Sequence, residues 1–427
     1  MAQTRPFHET KFMTSTTTTP ATTTPDWAAR FSERMTRVRA SEIRELLKLL
    51  DQPDILSFAG GIPDPGLFPA AQIQAGYDAI LADPDLACQA LQYSVSEGYL
   101  PLRRWIAERM ALNGVVCDEH NIIVTAGSQQ ALDLIGKLFL TRGDTVMVAR
   151  PTYLGALQAF NAYEPAYLDL PDGALANGVD VEALMAGRAP HALGYFVPDY
   201  ANPTGQSLTL AEREALLDLA EQADMTLIED AAYRELRFAG EALPTLLALD
   251  IARSGSIEQA RTLFCGTFSK TISPALRIGW VCGPRAVIEK LVLLKQGCDL
   301  HVSTVNQMVA YRAVSEGYEQ HLSALRNAYG AKAKTILAAL DRHMPPGVTW
   351  SKPEGGMFVW VWLPEGIDGK ALLERALSEE RVAFVPGEPF FAEVPATNAI
   401  RLSYSLPTDA AIEDGVERLA RLIGRAG

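Results

Sequence analysis

The sequence of 427 residues has few cysteines, no long apolar run and no excess of basic side chains. Its five cysteines form no CxxC pair, which argues against a disulfide framework or a zinc site and favours a reducing compartment, the cytoplasm. No apolar run approaches the ~18 residues of a transmembrane helix. The net charge is -13 and no basic stripe is present, so we expect neither a nucleic-acid-binding nor a membrane protein, and no bound metal.

The beginning of the chain differs in composition from the rest. Residues 1–26 are rich in Thr, Pro and Ala, and they contain too few apolar side chains to fold, so we predict a disordered tail. The tail has no apolar segment of the kind that a secretory signal needs, and Met13 is an alternative start. A transit peptide is a weaker alternative, because Arg5 and Lys11 are too few basic residues.

Short apolar runs alternate with longer helical patterns between about residues 100 and 325. This alternation indicates βαβ units and a mostly parallel sheet with helices on both faces. Ligands bind such sheets at the carboxyl ends of the strands. The predicted strands are Ile122–Thr125, Val146–Val148, Gly194–Val197, Thr226–Ile228, Leu263–Cys265 and Ile278–Cys282, and two of the predicted helices are Ala131–Leu140 and Ala211–Ala223.

The pattern changes after about residue 330, where strands and helices predict a smaller α+β domain. The predicted helices are Tyr329–Arg342, Lys370–Glu379 and Asp409–Ile423, and the predicted strands are Val348–Trp350, Met357–Trp362, Ala383–Val385 and Ile400–Tyr404. An amphipathic helix, Ser41–Leu50, is predicted near the start, after which Ile55–Phe58 forms a short strand. We therefore divide the chain into the tail, an N-terminal arm (27–65) that packs on the small domain, a large domain (66–328) and the small domain (329–427).

A lysine follows one of the buried strands, in Thr267-Phe-Ser-Lys270. An amine at the end of a buried strand can form a Schiff base with a carbonyl group. Ser269 and Arg277 suit a phosphate beside it. Taken alone the motif is weak, because Ser-Lys pairs are common in solvated surface loops.

Two other strand ends offer partners for an aromatic cofactor ring. Asp230 follows Thr226–Ile228, and a carboxylate there is costly unless it is paired, for example with a pyridinium N–H. Asn202 and Tyr233 could both donate a hydrogen bond to a phenolic oxygen. Each has a simpler interpretation: a turn at Asn202, a helix cap at Asp230 and a core side chain at Tyr233.

The remaining motifs are also ambiguous when taken singly. Ser128 and Gln129 open a helix, whose free N–H groups suit a phosphate, but Ser128 could be an ordinary cap. Tyr153 could stack on a planar ring or pack over the sheet edge. Arg401 is either a bidentate carboxylate clamp or a surface residue. The shared position of these motifs at strand ends predicts a pyridoxal phosphate pocket.

With these motifs in place, the chain resembles the class I and II aminotransferases of fold type I, in the branch of the 2-aminoadipate and kynurenine/aminoadipate aminotransferases. The resemblance runs from about residue 27 to the C-terminus. The stretches that carry it are Ile55–Pro69, Leu91–Leu102, Thr125–Leu132, Asn202–Gly205, Thr267–Trp280 and Gly355–Trp360. It implies an α/β fold, with a large domain built on a mostly parallel seven-stranded sheet and a smaller α+β domain. It also implies a homodimer that uses pyridoxal 5′-phosphate.

The resemblance implies roles for the residues that would hold the cofactor. Lys270 would be the Schiff-base lysine and the proton shuttle, and Asp230 would bind the pyridine nitrogen. Tyr153 would stack on the ring, and Asn202 and Tyr233 would hold the phenolic oxygen. The phosphate would be held by Ser128, Gln129, Thr267, Ser269 and Arg277, and by Tyr93 of the neighbouring subunit. The family often has Ser at the position of Thr267. Threonine also carries a hydroxyl, so phosphate binding should be retained.

The resemblance also implies a reaction and a substrate site. The reaction would move the amino group of an L-amino acid (2-aminoadipate, aromatic, branched or similar) to 2-oxoglutarate by a ping-pong mechanism. Arg401, with Asn202, would clamp the α-carboxylate, and Gly61 and Arg44 would border the side-chain pocket.

Two alternative functions are open at this point. The first is another reaction of the same cofactor on the same fold, such as racemisation, β-elimination or decarboxylation. The second is a transcription regulator with an aminotransferase-like domain. That function needs a DNA-binding module, and residues 1–26 contain no helix–turn–helix pattern.

We expect Arg44 to select substrates with a distal carboxylate, if its helix lies over the pocket. An ordinary surface arginine is the alternative, since arginine is common in helices. Arg44→Ala should lower kcat/KM for glutamate more than for phenylalanine, because only glutamate loses an ion pair. An equal loss on both substrates would reject this role.

Overall fold

A seven-stranded sheet forms the centre of the structure, a computed structural model that describes residues 25–38, 54–170, 173–188 and 192–425. Its strands are β2 (Ile122–Thr125), β3 (Thr145–Ala149), β4 (Ala166–Leu170), β5 (Leu193–Phe196), β6 (Thr226–Asp230), β7 (Thr262–Thr267) and β8 (Gly279–Cys282). Their order is β2-β8-β7-β6-β5-β3-β4, and β8 is antiparallel to both of its neighbours. The predicted mostly parallel sheet is confirmed.

Helices cover this sheet and follow its strands in the predicted alternation. They are α1 (Ala70–Ala82), α2 (Pro84–Leu91), α3 (Leu100–Leu112), α4 (Ser128–Phe139), α5 (Leu154–Asn161), α6 (Ala174–Asn177), α7 (Val181–Met185), α8 (Leu210–Gln222), α9 (Leu246–Ser254), α10 (Arg285–Gln296) and α11 (Thr304–Ser315). Short 3-10 helices lie at Ala28–Arg30, Glu33–Thr36, Pro65–Leu67, Glu119–Asn121, Arg234–Leu236, Ile257–Gln259, Pro274–Leu276 and Glu388–Phe390. Within the described ranges, no helix has the length and apolar character that a membrane span requires.

The C-terminal part contains a four-stranded antiparallel sheet and a pair of short parallel strands. The four-stranded sheet has the order β12 (Val385–Pro386), β13 (Ala399–Ser403), β10 (Phe358–Trp362) and β9 (Thr349–Trp350). The pair is β1 (Leu56–Ser57) with β11 (Val382–Ala383). The helices are α12 (Tyr318–His343), α13 (Gly369–Arg375), which continues as a π-helical turn (Ala376–Glu380), and α14 (Asp409–Gly424).

Three differences from the predicted elements have physical causes. Strand β4 was not predicted, because it is an edge strand with an exposed first residue and an acidic fourth residue, Asp169. The single strand predicted at Ala383–Val385 is wrong: the chain changes sheets around the buried Phe384. The helix predicted from Tyr329 begins at Tyr318, because Tyr318 and Leu322 extend its buried stripe. The predicted helix Ser41–Leu50 and residues 1–24 lie outside the described residues.

Strand β6 is anchored to the next helix through a buried carboxylate. Glu229 is fully buried and accepts the backbone N–H groups of Leu246 and Leu247, each at 3.0 Å. These N–H groups belong to the first turn of α9, where the helix dipole favours a negative charge. Burial still raises the pKa of Glu229 to about 7. The carboxylate thereby ties the end of β6 to the helix behind the sheet.

A buried ion pair supports the loop after β5. The Arg213 side chain has no exposed surface, and its guanidinium donates to Asp199 at 2.6 Å. It also donates to the carbonyl oxygens of Pro198 at 3.0 Å and Pro244 at 2.9 Å. Arg234 joins Asp199 at 2.8 Å. Both guanidinium groups and the carboxylate of this network are hydrogen-bonded. The network therefore fixes the loop after β5, which leads to the predicted site residue Asn202.

We expect Arg213→Met to lower the free energy of unfolding by about 3–5 kcal/mol, because it leaves Asp199 buried with one cation fewer. Thermal and urea unfolding of the purified protein would measure the loss. Arg104→Met is the matched control: Arg104 pairs with Glu119 at 3.1 Å but is 60% exposed, so its loss should cost less than about 1 kcal/mol. Similar small losses in both variants would contradict the supporting role of Arg213.

Candidate active site

A cavity of about 760 Å³ lies where the parallel strands of the central sheet end. This volume is typical of cofactor and small-molecule sites. Because the carboxyl ends of parallel strands share one edge of the sheet, loops far apart in sequence meet there. The predicted site residues that line the cavity are Gly61, Ser128, Gln129, Tyr153, Asn202, Asp230, Tyr233, Thr267, Ser269, Lys270, Arg277 and Arg401.

Two predicted site residues are not among these lining residues. Tyr93 is 79% exposed, and its ring lies 6.0 Å from the ring of His301, edge to face. Its predicted role concerns the neighbouring subunit and stays a prediction. Arg44 lies outside the described residues.

One end of the cavity is formed by the start of helix α4. Gly127 is the N-cap and Ser128 is the first helical residue, so the interpretation of Ser128 as an ordinary cap is wrong. In the described part of the chain, no side chain caps this helix. The N–H group of Gln130 donates to the carbonyl oxygen of Gly127 at 3.2 Å, whereas those of Ser128 and Gln129, with the helix dipole, suit an anion.

Arg277 brings a positive charge to the same end. Its backbone is left-handed, with φ of 55°, and its guanidinium donates to the carbonyl oxygen of Ala126 at 2.7 Å. Gly127 also has a positive φ, 79°, and a Cβ built on it would lie 2.6 Å from that guanidinium. Only glycine fits there, and its lack of a side chain lets the cation approach the helix start.

Two hydroxyl groups, one to three residues before Lys270 in the sequence, line the same cavity. The hydroxyl oxygens of Thr267 and Ser269 are 2.9 Å apart, and the Thr267 hydroxyl lies 3.0 Å from the carbonyl oxygen of Ile278. Together with the guanidinium and the helix start, they form a group of donors that suits a phosphate.

Lys270 brings its amine to the same cavity. Its Nζ donates to the carbonyl oxygen of Gly61 at 2.9 Å and lies 5.7 Å from the centre of the Tyr233 ring. Burial and the positive charges of Arg401 and Arg277 lower the pKa of Lys270 to about 8, although Asp230 opposes them. More of the amine is therefore neutral near neutral pH, which makes it a better nucleophile.

Asp230 ends β6 and is only 3% exposed. Its Oδ2 accepts the phenolic O–H of Tyr195 at 2.7 Å, and its Oδ1 accepts the N–H of Ala232 at 3.3 Å. Burial raises the pKa of Asp230 to about 6, and the bond from Tyr195 opposes this rise. Asp230 caps no helix, because the short 3-10 helix that follows has Tyr233 at its N-cap position.

Arg401 is only 2% exposed, so the surface interpretation is wrong. Its guanidinium donates to Asn202 Oδ1 at 2.8 Å and to the carbonyl oxygen of Ala59 at 3.0 Å. The rings of Phe358 and Phe390 lie 4.4 and 5.1 Å from its Cζ. Its Nε is buried and has no hydrogen-bond partner among the described residues. Such a guanidinium is suited to an incoming carboxylate.

Several cavity residues were not predicted from the sequence. They are Val38, Ile62, Leu154, Gly155, Gln158, Tyr195, Val197, Ala232 and Pro274. Gly155 is needed for Tyr153, because a Cβ there would lie 2.4 Å from the Tyr153 ring. The only local signal of Tyr195 is a phenol within an otherwise apolar strand, and this does not identify its partner. The others carry no local pattern.

The donors in the cavity fit pyridoxal 5′-phosphate. One end combines an uncapped helix start, a guanidinium and two hydroxyls, as a phosphate requires. Asp230, at a different wall, can pair with a protonated ring nitrogen. The amine of Lys270 can bind an aldehyde. Pyridoxal phosphate by itself accounts for the anion site, the buried carboxylate and the amine.

Comparison with known proteins gives the same result. The family model for aminotransferase class I and II matches residues 70–419. The chain is 42% identical over 400 residues to a 2-aminoadipate transaminase of Thermus thermophilus, covering 93% of this chain and 97% of that protein. It is 40% identical over 407 residues to an aromatic-amino-acid aminotransferase of Thermococcus litoralis, covering 94% and 95%. The crystal structure of a Pyrococcus horikoshii kynurenine aminotransferase in complex with PMP has a TM-score of 0.85 at 41% identity, covering 94% and 98%.

These matches extend over almost the whole length of this chain and of each matched protein. The cavity also carries the donors that the cofactor requires. The expected fold type, cofactor and enzyme class are thereby confirmed. The chain belongs to the class I and II aminotransferases and is a pyridoxal-phosphate-dependent transaminase (EC 2.6.1) of fold type I.

Proposed function

We propose that the enzyme moves the amino group of an L-amino acid to 2-oxoglutarate by a ping-pong mechanism, in which the donor leaves as a 2-oxo acid before the acceptor binds. The donors we propose are 2-aminoadipate, aromatic or branched amino acids, or a similar broad set. The names of the relatives, which refer to 2-aminoadipate, aromatic amino acids and kynurenine, support this choice.

One observation carries the proposal: a single cavity holds a reactive amine, Lys270, and a buried guanidinium, Arg401. A panel of amino donors assayed with 2-oxoglutarate, with glutamate as the measured product, tests it. A racemase, β-lyase or decarboxylase would turn over its amino acid without any 2-oxo acid. Turnover that does not depend on 2-oxoglutarate would therefore reject the proposal.

We propose that the cofactor is held as the sequence predicted. When bound, pyridoxal phosphate supplies an aldehyde that receives the amino group and a ring that withdraws electrons from the substrate. Asp230 pairs with the ring nitrogen, Tyr153 stacks on the ring, and Asn202 and Tyr233 hold the phenolic oxygen. The phosphate is held by Ser128, Gln129, Thr267, Ser269 and Arg277.

Arg401 and Asn202 bind the α-carboxylate of the substrate in this proposal. The burial of the Arg401 guanidinium beside two aromatic rings supports it, since a buried cation favours an anionic partner. A Cβ on Gly61 would lie 3.6 Å from Arg401 and 3.1 Å from the Phe358 ring. Glycine at this position therefore leaves space for the substrate beside the guanidinium. Arg44 remains our candidate for binding a distal carboxylate.

Lys270 acts as the base in this proposal. With cofactor and substrate bound, its Nζ would take the proton from the substrate Cα. A pKa near 8 suits this task, because a base works best when its pKa lies near the working pH. Asp230 and Arg401 fix the positions of cofactor and substrate, which orients the Cα–H bond toward the amine.

We further propose a homodimer in the cytoplasm, with Tyr93 completing the phosphate site of the partner subunit. Leu91, Tyr93 and Val95 expose 72%, 79% and 55% of their surface on one short segment, and apolar patches of this kind mark interfaces. Sedimentation velocity of the cofactor-loaded enzyme would contradict the dimer if it gave a monomer.

The domain boundaries at residues 26, 65 and 328 stay proposals, and α12 runs through the last of them.

Lys270→Ala should lower the rate of glutamate formation by at least about 10²–10⁴-fold, because it removes the amine that moves the proton. The variant should also lose the visible absorbance of lysine-bound cofactor. Lys290→Ala, at an exposed position outside the cavity, is the control and should behave as the unsubstituted enzyme. Substantial transamination by Lys270→Ala would show that another group carries the chemistry.

The capture of pyridoxal phosphate by the apoenzyme should depend on pH through Lys270. Only the neutral amine attacks an aldehyde, and with a pKa of about 8, rather than the ordinary 10.5, about one amine in ten is neutral at pH 7. The rate constant should therefore rise about tenfold per pH unit below pH ~8 and level off above it. Stopped-flow absorbance would measure it. A rate that keeps rising to pH ~10 would show an unperturbed lysine.

A further inference from the structure

The hydrogen bond between Tyr195 and Asp230 is set by the register of two central strands. Strands β5 and β6 are parallel, and Tyr195 lies beside Ile228. Side chains alternate between the faces of a sheet, so Asp230, two residues beyond Ile228, lies on the same face as Tyr195. An aromatic side chain can reach such a diagonal neighbour, and the phenol donates to Asp230 Oδ2 at 2.7 Å.

The surroundings of Tyr195 hold its hydroxyl in place. The side chain is completely buried, and its ring meets that of Phe160 edge to face, with the centroids 5.9 Å apart. A phenol packed in this way cannot turn without displacing its neighbours. Burial, with the charge of Asp230, raises the pKa of Tyr195 well above its ordinary value. The hydroxyl therefore keeps its proton and remains a donor.

We propose that Tyr195 is a positioning residue for amino transfer, which fixes the orientation of the Asp230 carboxylate and keeps it ionised toward the cofactor. This inference rests on the proposed pairing of Asp230 with the ring nitrogen. Oδ2 is engaged by Tyr195, whereas Oδ1 accepts a longer bond of 3.3 Å from Ala232. Each carboxylate oxygen has two lone pairs, so Oδ1 retains one for the ring N–H.

The hydrogen bond from Tyr195 helps to keep the Asp230 carboxylate ionised. Burial raises the pKa of Asp230, and among the opposing effects the bond from Tyr195 is the largest, before those of Ala232 and Lys270. A hydrogen bond to a charged group changes an equilibrium by about ten- to a hundredfold. Without it, Asp230 would bind a proton closer to neutral pH. The titratable groups that face Asp230 are Tyr195, Tyr233, Cys265 and Lys270.

Tyr195→Phe tests the inference, because it removes the hydroxyl and keeps the ring. The readout is the dissociation constant of pyridoxal phosphate from the apoenzyme, measured across a pH series by fluorescence titration. We expect the dissociation constant to be about tenfold higher at neutral pH. We also expect the acid limb, the pH range over which affinity falls as Asp230 is protonated, to lie about one pH unit higher, because the pKa of Asp230 rises. A residue that only fills space would leave the acid limb unmoved.

Tyr163→Phe is the matched control. The Tyr163 phenol also donates to a carboxylate, Asp133 Oδ1 at 2.9 Å, but neither residue lines the cavity. This variant should lose a similar hydrogen bond and retain the cofactor affinity of the unsubstituted enzyme. An acid limb in Tyr195→Phe equal to that of Tyr163→Phe would overturn the inference.

Asp230→Asn separates the inference from the proposed function. If Asp230→Asn weakens cofactor binding and Tyr195→Phe does not, only the role of Tyr195 fails. If Asp230→Asn binds the cofactor normally, the proposed role of Asp230 fails as well. In the double variant, Tyr195→Phe should add nothing to the effect of Asp230→Asn, since its target is gone. Additive losses would overturn the inference.

A second substitution keeps the test decisive if Tyr195→Phe does not fold. Replacing Tyr195 with 3-fluorotyrosine retains the shape and the hydroxyl but makes the phenol a stronger donor. The acid limb of cofactor binding should then lie lower than in the unsubstituted enzyme, opposite to the effect of phenylalanine. An unchanged limb in a folded protein would overturn the inference.

Discussion

The active site depends on holding three charged side chains around one cavity, two of them, Asp230 and Arg401, almost completely buried. Asp230, Lys270 and Arg401 would each be costly to bury alone. Each is compensated by neutral groups: a phenol for Asp230, a backbone carbonyl for Lys270, and two rings with an amide for Arg401. Neutral partners stabilise the charges and leave them able to act on a ligand, which an ion pair within the site would prevent.

This requirement explains much of the scaffold behind the cavity. The loop after β5 is held by the buried guanidinium of Arg213, and the end of β6 is held by Glu229 at the start of α9. Both are buried polar groups that are hydrogen-bonded to the backbone, so they fix the segments that carry the proposed cofactor ligands. The same demand for close approach explains Gly127 and Gly155, where any side chain would overlap a neighbouring site residue.

Much of the fold and of the cavity could be predicted because both depend on short segments. A buried apolar run followed by a polar residue indicates a strand end, and the parallel sheet then brings these ends together, as for Asp230 and Lys270. Tyr195 could not be assigned in this way, because its contact with Asp230 depends on the register between two strands. The change of sheets at Phe384 and the edge strand β4 likewise depend on pairing that no single segment specifies.

The guanidinium proposed to bind the substrate comes from β13, late in the sequence, whereas the lysine that suits the cofactor follows β7 and the helix start belongs to α4. The backbone around Ala59 and Gly61 also reaches its place only by pairing with β11. In the order of synthesis, every strand of the central sheet therefore precedes Arg401 by more than a hundred residues. The elements that suit the cofactor are made before the guanidinium that we propose for the substrate.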